Sequence, residues 1–278
     1  MIVTRFAPSP TGFLHLGHAL AAWVAYDWAK QHGGTMLLRF EDIDVTRVRP
    51  EFYPAIEEDL RWLGIEWEGT PWRQLDRTEA YQSALERLCE MNVVYPCFCT
   101  RKEIAQMAHA PQMGDGMEAM IYPGICRELP HVERESRMMR GERWCWRLDS
   151  AKAGAMCGNI SWQDHRCGVQ DLDPSSLGDV IIARKDIGVS YHLAVVVDDA
   201  AQNVNWVTRG EDLLSSTHIH VMLQRLLQLP HPQYWHHPLV CDEEGKRLAK
   251  RHDALSLRQM RASGVSAHEV LRHMTAHL

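Results

Sequence analysis

Ile2-Val3-Thr4-Arg5-Phe6-Ala7-Pro8-Ser9-Pro10-Thr11-Gly12-Phe13-Leu14-His15-Leu16-Gly17-His18 is the stretch that decides the fold. Residues 2–6 read as a short buried strand. Two prolines and a glycine within residues 7–12 then forbid regular helix or ladder. From 16 to 31, Leu20, Trp23, Val24 and Trp28 recur at helical spacing, and Gly33-Gly34 supplies the stop. Residues 36–40 read as a second buried strand. Strand, turn, helix and strand in this order form a βαβ unit of a parallel sheet. Its crossover is right-handed and its ligands sit at the carboxyl edge.

Working outward, residues 54–63 and 78–91 have helical patterns, and the pattern then changes. Short alternating runs such as 144–148 and the glycine-bearing 154–158 read as small β-structure, so 95–187 is taken as an insertion. Buried strands are expected at 191–197, 205–208 and 239–241, with a helix at 213–227. The implied organisation is 1–94, a first half of the parallel-sheet domain; 95–187, the insert; 188–252, its second half; and 253–278, a short helical tail. The fold class is α/β.

Composition narrows the function classes. Of 278 residues, 45% are hydrophobic and 24% charged, which excludes a disordered chain, a collagen-like fibre and a small disulfide scaffold. No apolar run reaches the about 20 residues of a membrane span, and the N-terminus lacks a signal peptide. A cytoplasmic, non-membrane protein is expected. Lys and Arg number 30 against 36 acids, a net charge of −6, so a polyanionic partner must meet a local basic patch. The eight cysteines are therefore read as reduced thiols or metal ligands.

The 8–18 segment has the physical form of an anion site. Backbone N–H groups and the positive dipole at a helix start face the ligand, and Gly17 permits close approach. His15 and His18, three residues apart, can address one oxyanion. The same spacing also suits a helix-capping turn or half of a metal site. Gly245-Lys246-Arg247-Leu248-Ala249-Lys250-Arg251-His252 is either a solvated basic loop or a second cationic element. Cys97-Phe98-Cys99, followed by Cys126, is either part of a zinc site or a set of three buried thiols. The other cysteines read as small buried apolar groups.

Taken together, Arg5 to Gly12 with His15-Leu16-Gly17-His18 resembles the HIGH signature of class I aminoacyl-tRNA synthetases in its glutamyl form. Arg39-Phe40-Glu41-Asp42-Ile43-Asp44, Tyr191 to Asp199 and Val207 to Asp212 resemble later blocks of the same catalytic domain. The resemblance implies a Rossmann-type parallel sheet with an inserted zinc-containing α+β segment. It places His15, Gly17, His18 and Lys250 on ATP, which brings Mg2+, with His15, His18 and Lys250 catalytic. It places Arg5, Ala7, Ser9, Glu41, Tyr191 and Arg209 on glutamate, the arginines for the carboxylates and Glu41 for the ammonium. Residues 245–252 resemble the KMSKS loop, with Arg247, Leu248, Ala249 and Arg251 departing from it.

Only 28 residues follow Lys250, too few for the anticodon-binding domain of glutamyl-tRNA synthetases. The chain thus resembles the shorter glutamyl-Q tRNA(Asp) synthetases. That likeness implies one structural zinc on Cys97, Cys99, Tyr122 and Cys126, with His109 or His131 as alternatives to the tyrosine. It implies activation of glutamate without tRNA and transfer to queuosine in the anticodon stem-loop of tRNA(Asp), by a monomer. Lys246, Arg247, Arg251, Arg258 and Arg261 are candidates for RNA phosphates. Rival readings are a truncated paralogue charging an acceptor end, another nucleotidyltransferase of the HIGH superfamily, and a non-catalytic RNA-binding paralogue.

Overall fold

The computed structural model describes residues 1–100, 102–104, 122–171, 174–184, 188–240 and 255–275. Strand β1 (Val3–Phe6) runs through the proline-rich turn into α1 (Leu16–Gln31) and β2 (Thr35–Phe40). The two strands pair in parallel, Val3 opposite Thr35 and Phe6 opposite Leu38, as the βαβ reading requires. Helix α1 buries Leu20, Ala22, Val24 and Ala25 in the core that also holds Met36, Leu38 and Phe40. After α2 (Phe52–Trp62), β3 (Trp72–Arg73) joins β2 in parallel, and α3 (Thr78–Glu90) follows.

The middle of the chain builds an antiparallel sheet and a hairpin. β4 (Val94–Cys97) pairs with β5 (Cys145–Leu148), which pairs with β8 (Ile181–Arg184), which pairs with β9 (Gly188–Val189). Between them lie α4 (His131–Met139), α5 (Ser150–Cys157), β6 (Ser161–Asp164) and β7 (Gly168–Asp171). The 154–158 stretch, expected as β-structure, is mostly the end of α5. Asp149 caps that helix by accepting from the Lys152 N–H at 3.0 Å. Gly154 sits there for packing, since a Cβ would stand 2.3 Å from Pro174 Cγ, and Gly158 at φ +68° ends the helix.

The chain then returns to the first sheet. Residues 191–197, expected as a strand, begin α6 (Tyr191–Ala201). An apolar run this short cannot separate strand from buried helix by periodicity. Here Leu193, Ala194, Val195 and Val196 are all buried, because α3, β8 and the next helix pack around α6. β10 (Trp206–Gly210) and α7 (Leu214–Leu226) follow. Of the strand expected at 239–241, residues 239–240 are not strand and 241 lies outside the described residues; the last strand among the described residues, β11, is Gln233–His237. Its buried His236 and His237 disguise it, and Pro238, with no N–H to give a ladder, ends it.

β10 and β11 pair in parallel, and the Asn205 N–H donates to Val3 O at 3.1 Å, laying β10 beside β1. β6 adds to β11 in parallel and β7 to β6 antiparallel. Two short helices, α8 (Leu257–Ala262) and α9 (Ala267–Thr275), close the chain and bury Leu257, Val270 and Met274 in the α1 core. Among the described residues, no helix is long and apolar enough to cross a membrane.

Candidate active site

Strand carboxyl ends are where a parallel sheet leaves side chains unpaired and facing a crevice. β1, β2 and β10 deliver Arg5, Glu41 (one residue past β2) and Arg209 to that edge, and α6 begins there with Tyr191. The Glu41 N–H donates to Pro8 O at 3.0 Å, which fastens the end of β2 to the proline-rich turn. These side chains sense one another's charge. Burial pushes the Glu41 carboxyl up to about 7, against the pull of Arg39, Arg5 and Arg209. Burial also raises the Tyr191 phenol, against Arg209 and Arg5.

The arginines are held in place by partners that the motif reading did not single out. Asp199, on α6, accepts from Arg5 Nε at 3.1 Å and from Arg39 Nη2 at 2.7 Å. Burial would raise its carboxyl, but the two guanidiniums outweigh burial and hold it below its ordinary value. Arg5 Nη1 also donates to Thr208 O at 3.1 Å, and Arg39 Nη1 to Gln202 Oε1 at 2.8 Å. The adjacent Asp198 accepts from Tyr81 Oη at 2.6 Å, Arg77 Nε at 2.8 Å and Gln74 Nε2 at 3.1 Å. Arg209 rests on a neutral group, His220 Nδ1, at 2.8 Å. Its own Nε is buried with no hydrogen-bond partner among the described residues. The only hint of this framework in the sequence is a pair of acids inside an apolar run.

The two histidines of the 8–18 segment cap the start of α1. His15 Nδ1 accepts from the Gly17 N–H at 3.1 Å, and His18 Nδ1 accepts from the His15 N–H at 3.3 Å, closing a capping box. The rings lie 3.9 Å apart. An Nδ1 that accepts puts the proton of a neutral imidazole on Nε2, where it is a donor suited to phosphate oxygens. A Cβ on Gly17 would stand 3.1 Å from the His15 ring, which would have to shift to make room. Ser9 is exposed and Ala7 half-buried in the turn. Lys246, Arg247, Lys250 and Arg251 lie outside the described residues, as does His109. Arg258 stacks 5.2 Å over Phe13, and Arg261 pairs with Glu58 at 3.0 Å.

The sulfur cluster lies at the end of β4. The thiol sulfurs of Cys97, Cys99 and Cys126 all fall within 4.8 Å of one another. Cys99 Sγ stands 3.5 Å from Cys126 Sγ and 3.4 Å from Tyr122 Oη. Zinc–sulfur bonds of about 2.3 Å in a tetrahedron put sulfurs just under about 4 Å apart, so three thiols and this phenol fit the ion. His131 lies elsewhere, exposed on α4 and 3.4 Å from Glu135.

Comparisons with known proteins show the family of the chain. Residues 1–277 match the family described as tRNA synthetases class I (E and Q), catalytic domain. The chain belongs to this family. It is therefore an ATP-dependent ligase of the aminoacyl-tRNA synthetase type, on the class I parallel-sheet fold. The synthetase is 48% identical to a glutamyl-Q tRNA(Asp) synthetase of Rhodobacter capsulatus, covering 98% of this chain and 99% of that one. It is 41% identical to one of Symbiobacterium thermophilum, covering 99% and 85%. A glutamate tRNA ligase from Elizabethkingia meningosepticum, solved in complex with its amino acid, superposes with a TM-score of 0.75 at 28% identity. That match covers 95% of this chain and 53% of the other, so the synthetase spans about half the length of that solved relative.

Proposed function

We propose that this synthetase activates L-glutamate with ATP, without tRNA, and transfers the glutamyl group to queuosine at the wobble position of tRNA(Asp). The observation that carries this is the cluster of Arg5, Glu41 and Arg209 at one sheet edge, beside the histidine-capped start of α1. Glutamate brings two carboxylates and one ammonium, and the cluster offers the opposite charges. Arg5 and Arg209 take the carboxylates, Glu41 takes the ammonium, Tyr191 walls the pocket, and Ser9 and the Ala7 backbone line it. An oxygen of the α-carboxylate then attacks the α-phosphorus of ATP, and pyrophosphate leaves with the bridging electron pair. His15 and His18, with the Gly17 backbone, hold the phosphates, and Lys250 neutralises the leaving group. Charge neutralisation of this kind is the main source of rate in nucleotidyl transfer. Mg2+ accompanies the ATP.

The names of the relatives support tRNA(Asp) as the nucleic-acid partner, and the reading takes its anticodon stem-loop as the acceptor. The reading includes a monomeric, cytoplasmic enzyme whose catalytic halves, 1–94 and 188–252, flank the 95–187 insert. Pyrophosphate exchange tests the first step: glutamate should support it with no tRNA added. Incubation with queuosine-containing and queuosine-free tRNA tests the second. Label should enter only the former, and label at an acceptor end would favour a truncated charging enzyme.

The pH dependence of glutamate binding follows from Glu41. Its carboxyl, at about 7 in the empty site, must be ionised to receive an ammonium. Below that value binding must expel a proton, so KM for glutamate should rise about tenfold per pH unit on going down. Above it KM should level off. A Glu41→Gln variant should show a high KM with no such slope; a slope that persists would remove Glu41 from the ammonium.

Cys97, Cys99, Cys126 and Tyr122 would hold a structural zinc, which supplies cross-linking of the β4 end rather than chemistry. Elemental analysis should find about one zinc per chain. Cys126→Ser should abolish metal retention and lower Tm, and an unchanged metal content would refute the ligand set.

A further inference from the structure

Arg5 and Arg39 are both anchored on the Asp199 carboxylate, but Arg209 is anchored on an imidazole. This difference has a chemical reason. An arginine is always a donor, so His220 Nδ1 must accept from Arg209 Nη1. The proton of His220 is then on Nε2, 3.1 Å from His192 Nδ1, which must accept in turn. The relay runs one way, Arg209 to His220 to His192, and the arginine dictates both tautomers. His220 is fully buried on α7, and Tyr191 packs edge-on against it at 5.4 Å between ring centres. Thus the residue that walls the glutamate pocket, the one that holds Arg209 and the one that backs it are in contact.

We propose that His220, backed by His192, is a positioning and specificity residue: it fixes the Arg209 guanidinium with a neutral acceptor, so the full positive charge remains for the side-chain carboxylate of the amino acid. A carboxylate in the same place would orient the arginine equally well but cancel the charge. An amino acid with a neutral amide side chain would then lose nothing, whereas glutamate would. Burial and the neighbouring charges of Arg209 and Arg5 hold His220 neutral, well below its ordinary pKa, and His192 and His236 act in the same direction. The inference rests on Arg209 meeting glutamate, and the test separates the two.

His220→Asn and His220→Asp present the same-sized side chain with an oxygen near the Nδ1 position, and differ in charge. In pyrophosphate exchange, His220→Asn should raise KM for glutamate only a few-fold. His220→Asp should raise it at least about tenfold further, with KM for ATP unchanged in both and kcat nearly so. Equal glutamate KM in two folded variants would overturn the proposal. If neither folds, His192→Ala serves, since His192 is only half-buried: it should raise KM for glutamate while leaving KM for ATP alone, and a wild-type KM would overturn the relay. Arg209→Lys is the control. Should it leave glutamate KM unchanged, the fault lies with the placement of Arg209 on glutamate; should it raise KM while the histidine variants do not, the fault lies with His220.

Discussion

Asp199→Ala is expected to destabilise the protein by about 3–5 kcal/mol, the cost of leaving a buried charge without its partner. Its side chain and that of Arg5 are each 5% exposed, and Arg39 is fully buried. Removing the carboxylate takes the nearest acid from both Arg5 and Arg39, but Arg39 keeps Asp198 at 3.8 Å and Glu41 at 4.0 Å, so the loss should lie toward the lower part of that range. Urea unfolding followed by tryptophan fluorescence would measure it. Adding Arg39→Met to Asp199→Ala should recover part of the loss, because one stranded charge goes and its volume is refilled. A stability within about 1 kcal/mol of wild type would show that water or a neighbouring acid takes over the two arginines. Even where the variant folds, Arg5 loses the contact that aims it, and KM for glutamate should rise.

His15 carries the second large effect. His15→Ala should slow glutamate-dependent pyrophosphate exchange by about 10²–10³-fold, the usual cost of removing one donor aimed at developing charge. It should also cost about 1 kcal/mol of stability through the lost cap. His15→Asn separates the two roles. Its amide oxygen still accepts from the backbone N–H at the start of α1, so stability should hold, but no ring Nε2–H reaches the phosphates. A folded His15→Asn enzyme with normal exchange would take His15 off the nucleotide and leave it as a cap alone.

How much of this could be read beforehand differs from residue to residue. The βαβ unit was legible because proline, glycine and the change of apolar period lie within one short stretch, and β1, α1 and β2 fall where those signals put them. α6 was not, because a run buried on several sides has no polar face to reveal its period. β11 was not, because buried histidines look like surface until their partners are known: His236 is satisfied by Asp164 and Thr217, which are distant in sequence. The site divides in the same way. Arg5, Glu41, Tyr191 and Arg209 are conspicuous in their motifs and do converge. Asp199 and His220, which hold two of them, are ordinary letters in the sequence, and their roles come from strand order and helix packing.

One join has consequences for how the middle of the chain can change. Asp164, at the end of β6, takes the backbone N–H of His236 at 3.1 Å and its ring Nδ1 at 2.6 Å. It also takes the N–H groups of Arg166 and Cys167 that turn the hairpin. Part of the 95–187 segment is thus a row of the principal sheet, stitched to the strand next to the one that carries Arg209. Such a segment cannot be exchanged as a free-standing cassette. A transplant that ignored Asp164 would disturb, from behind, the strand edge that carries Arg209, while every residue at that edge kept its identity.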